Sequence, residues 1–287
     1  MKTYAMLTKP GIILGNILTT AGGFALASKG SFDLGLFLAT LLGLALIIAS
    51  AGVFNNIIDR QSDAKMARTR NRPLVQGTIS TNSALIFGSL LGLIGVMILS
   101  NATNYLTVGI ALSGFFTYLI LYAMMKYRSF YGTLVGSLAG AVPPLVGYTA
   151  VSNQFDFAAL LLFSILVLWQ MPHFFAIAIN HLKDYQAASI PVLPLVKGLQ
   201  VTKIQMALYI IAFTLTTLLL TLSGYTGSLF AWTTLILGAL WLGCCIQGFF
   251  IPPQNDQKWG RQMFLTSLVV ITGIFLAIPV EIYSNVS

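Results

Sequence analysis

The chain has 287 residues, of which 57% are hydrophobic and 8% charged, and its mean hydropathy is +0.86. A water-facing domain carries about 25% charged residues to hydrate its surface, so a soluble enzyme, a disordered chain and a nucleic-acid-binding domain are all excluded. The net charge of +8 then reads as a topology signal and as a sign of lipid or phosphate contact. Cys244 and Cys245 are adjacent inside an apolar run, where sequence neighbours point in different directions and do not form a disulfide framework.

A run of about 20 apolar residues crosses the hydrocarbon layer as a helix. Cutting the sequence at its polar and Gly/Pro breaks predicts nine such helices, near residues 11–28, 34–57, 83–101, 104–125, 131–151, 157–180, 203–223, 227–250 and 262–283. The first follows the basic segment 1–9 and reads as a retained helix, because no small-residue cleavage site leads from it into a soluble mature domain. With nine crossings, every Lys and Arg except Lys29 falls on one face. That face holds fourteen cations against Asp59, Asp63, Asp184 and Asp256, a net +10, while Lys29 with Asp33, Asp156 and Glu281 gives −2 on the other. The positive-inside rule places the N-terminus in the cytoplasm and the C-terminus outside. The long loops 58–82 and 181–202 lie on the cytoplasmic face, where site chemistry is expected. The expectation is a single polytopic domain over 1–287: an all-α bundle of nine transmembrane helices.

The second helix ends in Asn55, Asp59 and Asp63 at i, i+4 and i+8. On a continuing helix the three project from one face, with neighbouring groups about 6 Å apart. Like charges on successive turns are kept ionised most readily by a hard divalent cation, and an all-oxygen set suits Mg²⁺ with waters and substrate phosphates. Lys65, Arg68, Arg70 and Arg72 follow at once and can grip the same phosphates. The alternative is that Asp59 and Asp63 pair with Arg60 in a solvated loop. Asn55 speaks against it, because an amide one turn inside an apolar helix needs a partner.

In the fourth helix, Tyr118, Tyr122 and Lys126 share a face, with Arg128 beyond. Aromatic faces can shield a carbocation and the cations can bind phosphate or propionate; an interfacial aromatic belt with snorkelling basic residues is the alternative. Gly132, Gly136 and Gly140 ahead of Pro143-Pro144 in the fifth helix read as a close-packing run. In the sixth, Gln170, His173, Ile177, Asn180 and Asp184 follow at spacings of 3, 4, 3 and 4, a mostly polar stripe that faces a cavity or a partner helix. Pro172 is expected to bend this helix. His173 reads either as a structural hydrogen-bonding group or as a ligand to porphyrin iron or an acid/base group. Asn180 and Asp184 suggest a second, weaker half of the metal-diphosphate site.

These residues carry a resemblance. Asn55xxxAsp59xxxAsp63 with Met66xArg68-Thr69xxArg72-Pro73 resembles the first motif of the intramembrane prenyltransferase superfamily that includes the ubiquinone-pathway aromatic prenyltransferases. The string Trp169-Gln170-Met171-Pro172-His173, with Lys183-Asp184-Tyr185, Ile190 to Pro194, and Lys9-Pro10-Gly11 with Asn16, is similar to its protohaem IX farnesyltransferase branch. The resemblance runs from about residue 5 to about residue 205. It implies a nine-helix bundle with a central cavity open to the cytoplasmic side, in a bacterial inner-membrane enzyme that joins the farnesyl group of farnesyl diphosphate to a vinyl group of haem b, with water added, giving haem O and diphosphate. It implies Mg²⁺ as cofactor, held by Asn55, Asp59, Asp63 and Asp184, with Asp59, Asp63, Asp184 and Lys183 in catalysis. By the same resemblance Arg68, Arg72, Lys65, Asn180 and Gln170 contact substrate, and His173, Tyr122 and Lys126 contact haem. A terminal oxidase or a haem-modifying enzyme is the protein partner it suggests. Asn180 stands where the superfamily has the first acid of its second motif, so that motif keeps one carboxylate. A quinone-precursor prenyltransferase and a membrane transporter are the competing functions.

Overall fold

The computed structural model describes residues 2–284; Met1 and residues 285–287, the two ends of the expected 1–287 domain, lie outside the described residues. Among the described residues every regular element is helical, and nine helices are long and apolar enough to cross a membrane. They are α1 (Pro10–Ser28), α2 (Leu34–Ile58), α3 (Thr81–Ala102), α4 (Tyr105–Lys126), α5 (Gly132–Ser152), α6 (Phe157–Asn180), α7 (Gly198–Leu222), α8 (Ser228–Gln247) and α9 (Asp256–Ser284). Several starts are set by side-chain caps: Asp33, Ser80, Asn104 and Asp156 accept from the backbone N–H of Leu36, Ser83, Thr107 and Ala159. Each cap satisfies a donor that the first helical turn leaves open.

Packing follows from which helices carry little bulk. α1 lies against α2, α5 and α9, and α6 against α5, α7 and α9, so α5 and α6 are the most buried of the nine. α4 is the least buried and touches α2 and α3 only lightly. α5 is divided at Ala141 into Gly132–Gly140 and Val142–Ser152, with Pro143 in the first turn of the second piece, where a missing N–H costs nothing. α6, by contrast, runs unbroken through Pro172. α4 contains a π-helical turn over Thr117–Tyr122, a rare geometry often found at functional sites.

α7 begins five residues earlier than its hydropathy suggests, and α9 six residues earlier. The physical reason is one buried ion pair. Lys203 Nζ donates to Asp256 Oδ1 at 2.6 Å and to Gly248 O at 2.7 Å, and lies 5.2 Å from the Trp259 ring. Paired in this way, the two charges enter helical turns that an unpaired charge would have ended.

Candidate functional site

A cavity of about 860 Å³ runs through the bundle, walled by α1, α2, α4, α5, α6 and α9. No residue of α3, α7 or α8 lines it. At one end it meets the folded loops 58–82 and 181–197. Those loops are held to each other and to α6 by a small apolar cluster of Met66, Ala178, Ala188, Ile190 and Val192, which explains why Met66 sits within the first motif.

The acidic ladder forms as spaced. Asp59 N–H donates to Asn55 O and Asp63 N–H to Asp59 O, both at 2.8 Å, so the helical path carries on past the last residue of α2 and all three groups share one face. Asp59 and Asp63 are 3% and 2% exposed, which rules out a solvated loop pairing with Arg60. Each group is matched to a cation from elsewhere in the chain. Lys9 Nζ donates to Asn55 Oδ1, Lys126 Nζ to Asp59 Oδ2 at 2.5 Å, and Arg72 Nη1 to Asp63 Oδ2 at 2.5 Å. Tyr127 OH donates to Asp59 Oδ1 at 2.6 Å. The cavity wall at this end therefore consists of Lys9, Arg68, Arg72 and Lys126, with the carboxylates directly behind.

The electrostatics are mutual. Burial works against ionisation of Asp59, but the Lys126 ammonium and the Tyr127 hydroxyl outweigh it and hold the carboxyl below its usual range. Lys9, desolvated and beside Arg72, is pushed down to about 7. Its backbone is strained as well: φ is 55°, immediately before Pro10, where a lysine pays about 1–2 kcal/mol. Asn56 Nδ2, donating to Leu7 O at 2.9 Å, ties the segment before Lys9 to α2 and offsets that strain. Neither Lys9 nor Tyr127 was among the expected site residues. Their partners on α2 are 46 and 68 positions away in sequence, and only the Lys9-Pro10-Gly11 string gave a signal.

The expected second half of the metal site is split between two helices. The chain turns at His181 (φ −117°, ψ 32°), so Asn180 and Asp184 do not share a helix. Asn180 Nδ2 approaches His181 Nε2 at 3.3 Å, and its carbonyl accepts from Gln257 at 3.1 Å. Asp184 instead ties the two loops together. It accepts from Ala67 N–H at 2.8 Å and lies 3.9 Å from Arg68 Nε and 3.6 Å from His181 Nδ1. Lys65 and Lys183 are exposed and, like Asn180, do not line the cavity. Among the described residues no three His, Cys, Asp or Glu side chains group closely enough to hold an ion. The oxygens of Asn55, Asp59 and Asp63 suit a hard cation that takes one or two carboxylates and completes its shell with phosphate oxygens and water.

Farther along the cavity the walls are aromatic. Tyr118 and Tyr122 stack at 5.3 Å and 11°, and both line the cavity, which decides against an interfacial belt. The glycine run makes room for them: a Cβ on Gly136 would lie 3.0 Å from the Tyr122 ring, and one on Gly140 2.0 Å from Gln170 Oε1. Gln170 Nε2 donates to Ser137 O at 3.2 Å and Leu166 O at 3.1 Å. His173, at the α6–α9 side, stacks on Trp169 at 4.6 Å and lies 5.0 Å from Phe264. Its Nδ1 is 2.7 Å from Ser267 Oγ, which itself donates to Phe264 O at 2.6 Å. With the serine hydrogen directed to Phe264 O, a neutral imidazole has its proton on Nδ1 and its lone pair on Nε2.

Comparison with known proteins agrees with this geometry. The UbiA prenyltransferase family matches residues 16–268. A protoheme IX farnesyltransferase of Protochlamydia amoebophila is 56% identical over 279 residues, 97% of this chain and 98% of its own. One of Cronobacter sakazakii is 50% identical over 282 residues, 98% and 95% of the two chains. Among solved structures, a digeranylgeranylglyceryl phosphate synthase superposes with TM-score 0.79 at 18% identity, covering 99% of this chain and 98% of that one. A UbiA homologue from Archaeoglobus fulgidus bound to DMAPP and Mg²⁺ superposes with TM-score 0.73 at 16% identity, covering 98% and 99%. The chain belongs to the UbiA prenyltransferase family.

Proposed function

We propose that this membrane prenyltransferase transfers the farnesyl group of farnesyl diphosphate to a vinyl group of haem b, with addition of water, giving haem O and diphosphate. The observation that carries the reading is that one cavity joins a cation-lined acidic end to His173 in an aromatic wall. The first suits a diphosphate and the second an iron porphyrin. Identity of 56% and 50% over nearly the full length of two bacterial protoheme IX farnesyltransferases supports it.

In this reading Asn55, Asp59 and Asp63 hold Mg²⁺, which when bound neutralises the departing diphosphate; Asp184 keeps the two loops closed over that end. Arg68, Arg72, Lys126 and Lys9 receive the diphosphate oxygens, while Lys65 and Lys183 draw the anion toward the mouth. The farnesyl C–O bond breaks with both electrons leaving on the diphosphate. The faces of Tyr118 and Tyr122 stabilise the allylic cation until the terminal vinyl carbon of haem b attacks it. Water adds to the adjoining carbon and loses a proton. Gln170 packs beside the haem, with His173 Nε2 toward its iron. Asn180 fixes the loop that follows α6. The charge split supports an acidic end on the cytoplasmic side of a bacterial inner membrane, and the chain is read as one domain. Haem O would pass to a haem-modifying enzyme or a terminal oxidase.

Purified protein is given haem b, farnesyl diphosphate and Mg²⁺, and the haems are separated on a reversed-phase column. The expected result is a more retained haem that requires all three. Unchanged haem together with prenylation of an aromatic quinone precursor would overturn the choice of acceptor.

A further inference from the structure

Beside the central cavity lies a second apolar space whose place in the bundle bears on the prenyl chain. A crevice of about 340 Å³ lies between α2, α3 and α4, lined by Ser50, Phe54, Ser89, Gly92 and Leu93 among others. Ile47 and Phe115 line both this crevice and the central cavity, so these two side chains form a wall that the spaces share. The crevice exists because α4 packs mainly on α5 and only lightly on α2 and α3. Its polar groups are used internally: Ser50 Oγ donates to Gly88 O at 2.7 Å. Phe54 and Phe115 meet edge to face at 6.2 Å, and Leu93 is exposed on the outer side.

Position along α2 adds the direction. Phe54 directly precedes Asn55, whereas Ile47 stands twelve residues before Asp59, about 18 Å along the helix axis. A diphosphate at the acidic end therefore leaves its apolar tail running along α2 toward Ile47 and Phe115. The α6–α9 half of the cavity, around His173, stays free for the bulky planar acceptor. We infer that the crevice between α2, α3 and α4 receives the distal end of the isoprenoid chain, with Ile47 and Phe115 setting which chain lengths are accepted. This rests on the proposed function in taking the substrate to be an allylic diphosphate.

The test compares geranyl, farnesyl and geranylgeranyl diphosphates, of 10, 15 and 20 carbons, as donors to haem b in wild type, Ser89→Phe and Phe115→Ala. Filling the crevice with Ser89→Phe lowers the farnesyl-to-geranyl ratio of kcat/KM at least tenfold. Opening the shared wall with Phe115→Ala raises the geranylgeranyl-to-farnesyl ratio by a similar factor. Leu93→Phe, at a lipid-exposed position, replaces Ser89→Phe if that variant does not fold. Ratios within twofold of wild type in both variants overturn the inference and leave the crevice to a membrane lipid chain. A wild type that forms no haem O contradicts the proposed function instead. The two ratios are then read from dissociation constants of the same diphosphates, with the same shifts expected.

Discussion

At the scale of single residues, the site is a set of matched charges, and its acids were easier to read than its cations. Asn55, Asp59 and Asp63 are legible because helical spacing is local. The cations that meet them, Lys9, Lys126 and Arg72, reach across three separate segments, and hydropathy does not record such pairings. Lys9 is in addition held in a backbone conformation that only the fold imposes. If Lys9 contacts the diphosphate, Lys9→Met raises the KM for farnesyl diphosphate about tenfold, the cost of one charge-assisted hydrogen bond, while kcat falls less. An unchanged KM would make Lys9 a structural partner of Asn55 alone. For His173 the informative quantity is the absorption spectrum of protein-bound haem. His173→Ala shifts the Soret band if Nε2 meets the iron; an unshifted band with wild-type turnover would make the histidine a packing group for Ser267 and Trp169.

At the scale of elements, nine apolar runs were legible to within a few residues, because crossing a bilayer demands a length that polar residues interrupt. The ends of α7 and α9 were not. Lys203 and Asp256 look like loop charges until their pairing is known, and their partners are 53 residues apart. Breaking this pair by Lys203→Met leaves Asp256 buried and alone, at a cost of about 3–5 kcal/mol. The double variant Lys203→Met with Asp256→Leu recovers most of that. Thermal unfolding in detergent checks both, and a single variant as stable as wild type would show the pair to be dispensable. The glycine run is equally specific. Gly140→Val would force Gln170 off its two carbonyl partners and lower the melting temperature, by an amount corresponding to about 1–3 kcal/mol. Gly109→Ala, where a Cβ meets nothing within 4 Å, should leave stability equal or slightly higher.

For the molecule as a whole, the sequence reading recovered an all-helical bundle and the acidic end of its cavity. It did not anticipate the loop-to-loop contacts of the second acidic group. Asn180 and Asp184 repeat the ladder's spacing in sequence, but the turn at His181 puts them on separate helices, and Asp184 accepts from Ala67 N–H and approaches Arg68. Loop–loop contacts of this kind depend on tertiary packing of Met66 and Ile190, not on local periodicity. Part of the net charge of +8 likewise has a place in the fold, lining the cavity beside Asp59 and Asp63. The most direct test of that arrangement is the rate of haem O formation from haem b and farnesyl diphosphate by purified Asp59→Ala and Asp63→Ala variants that remain folded in the membrane. Loss of at least a hundredfold in each, as expected of groups that stabilise the departing diphosphate, is the predicted result. Wild-type rates in both would contradict the account.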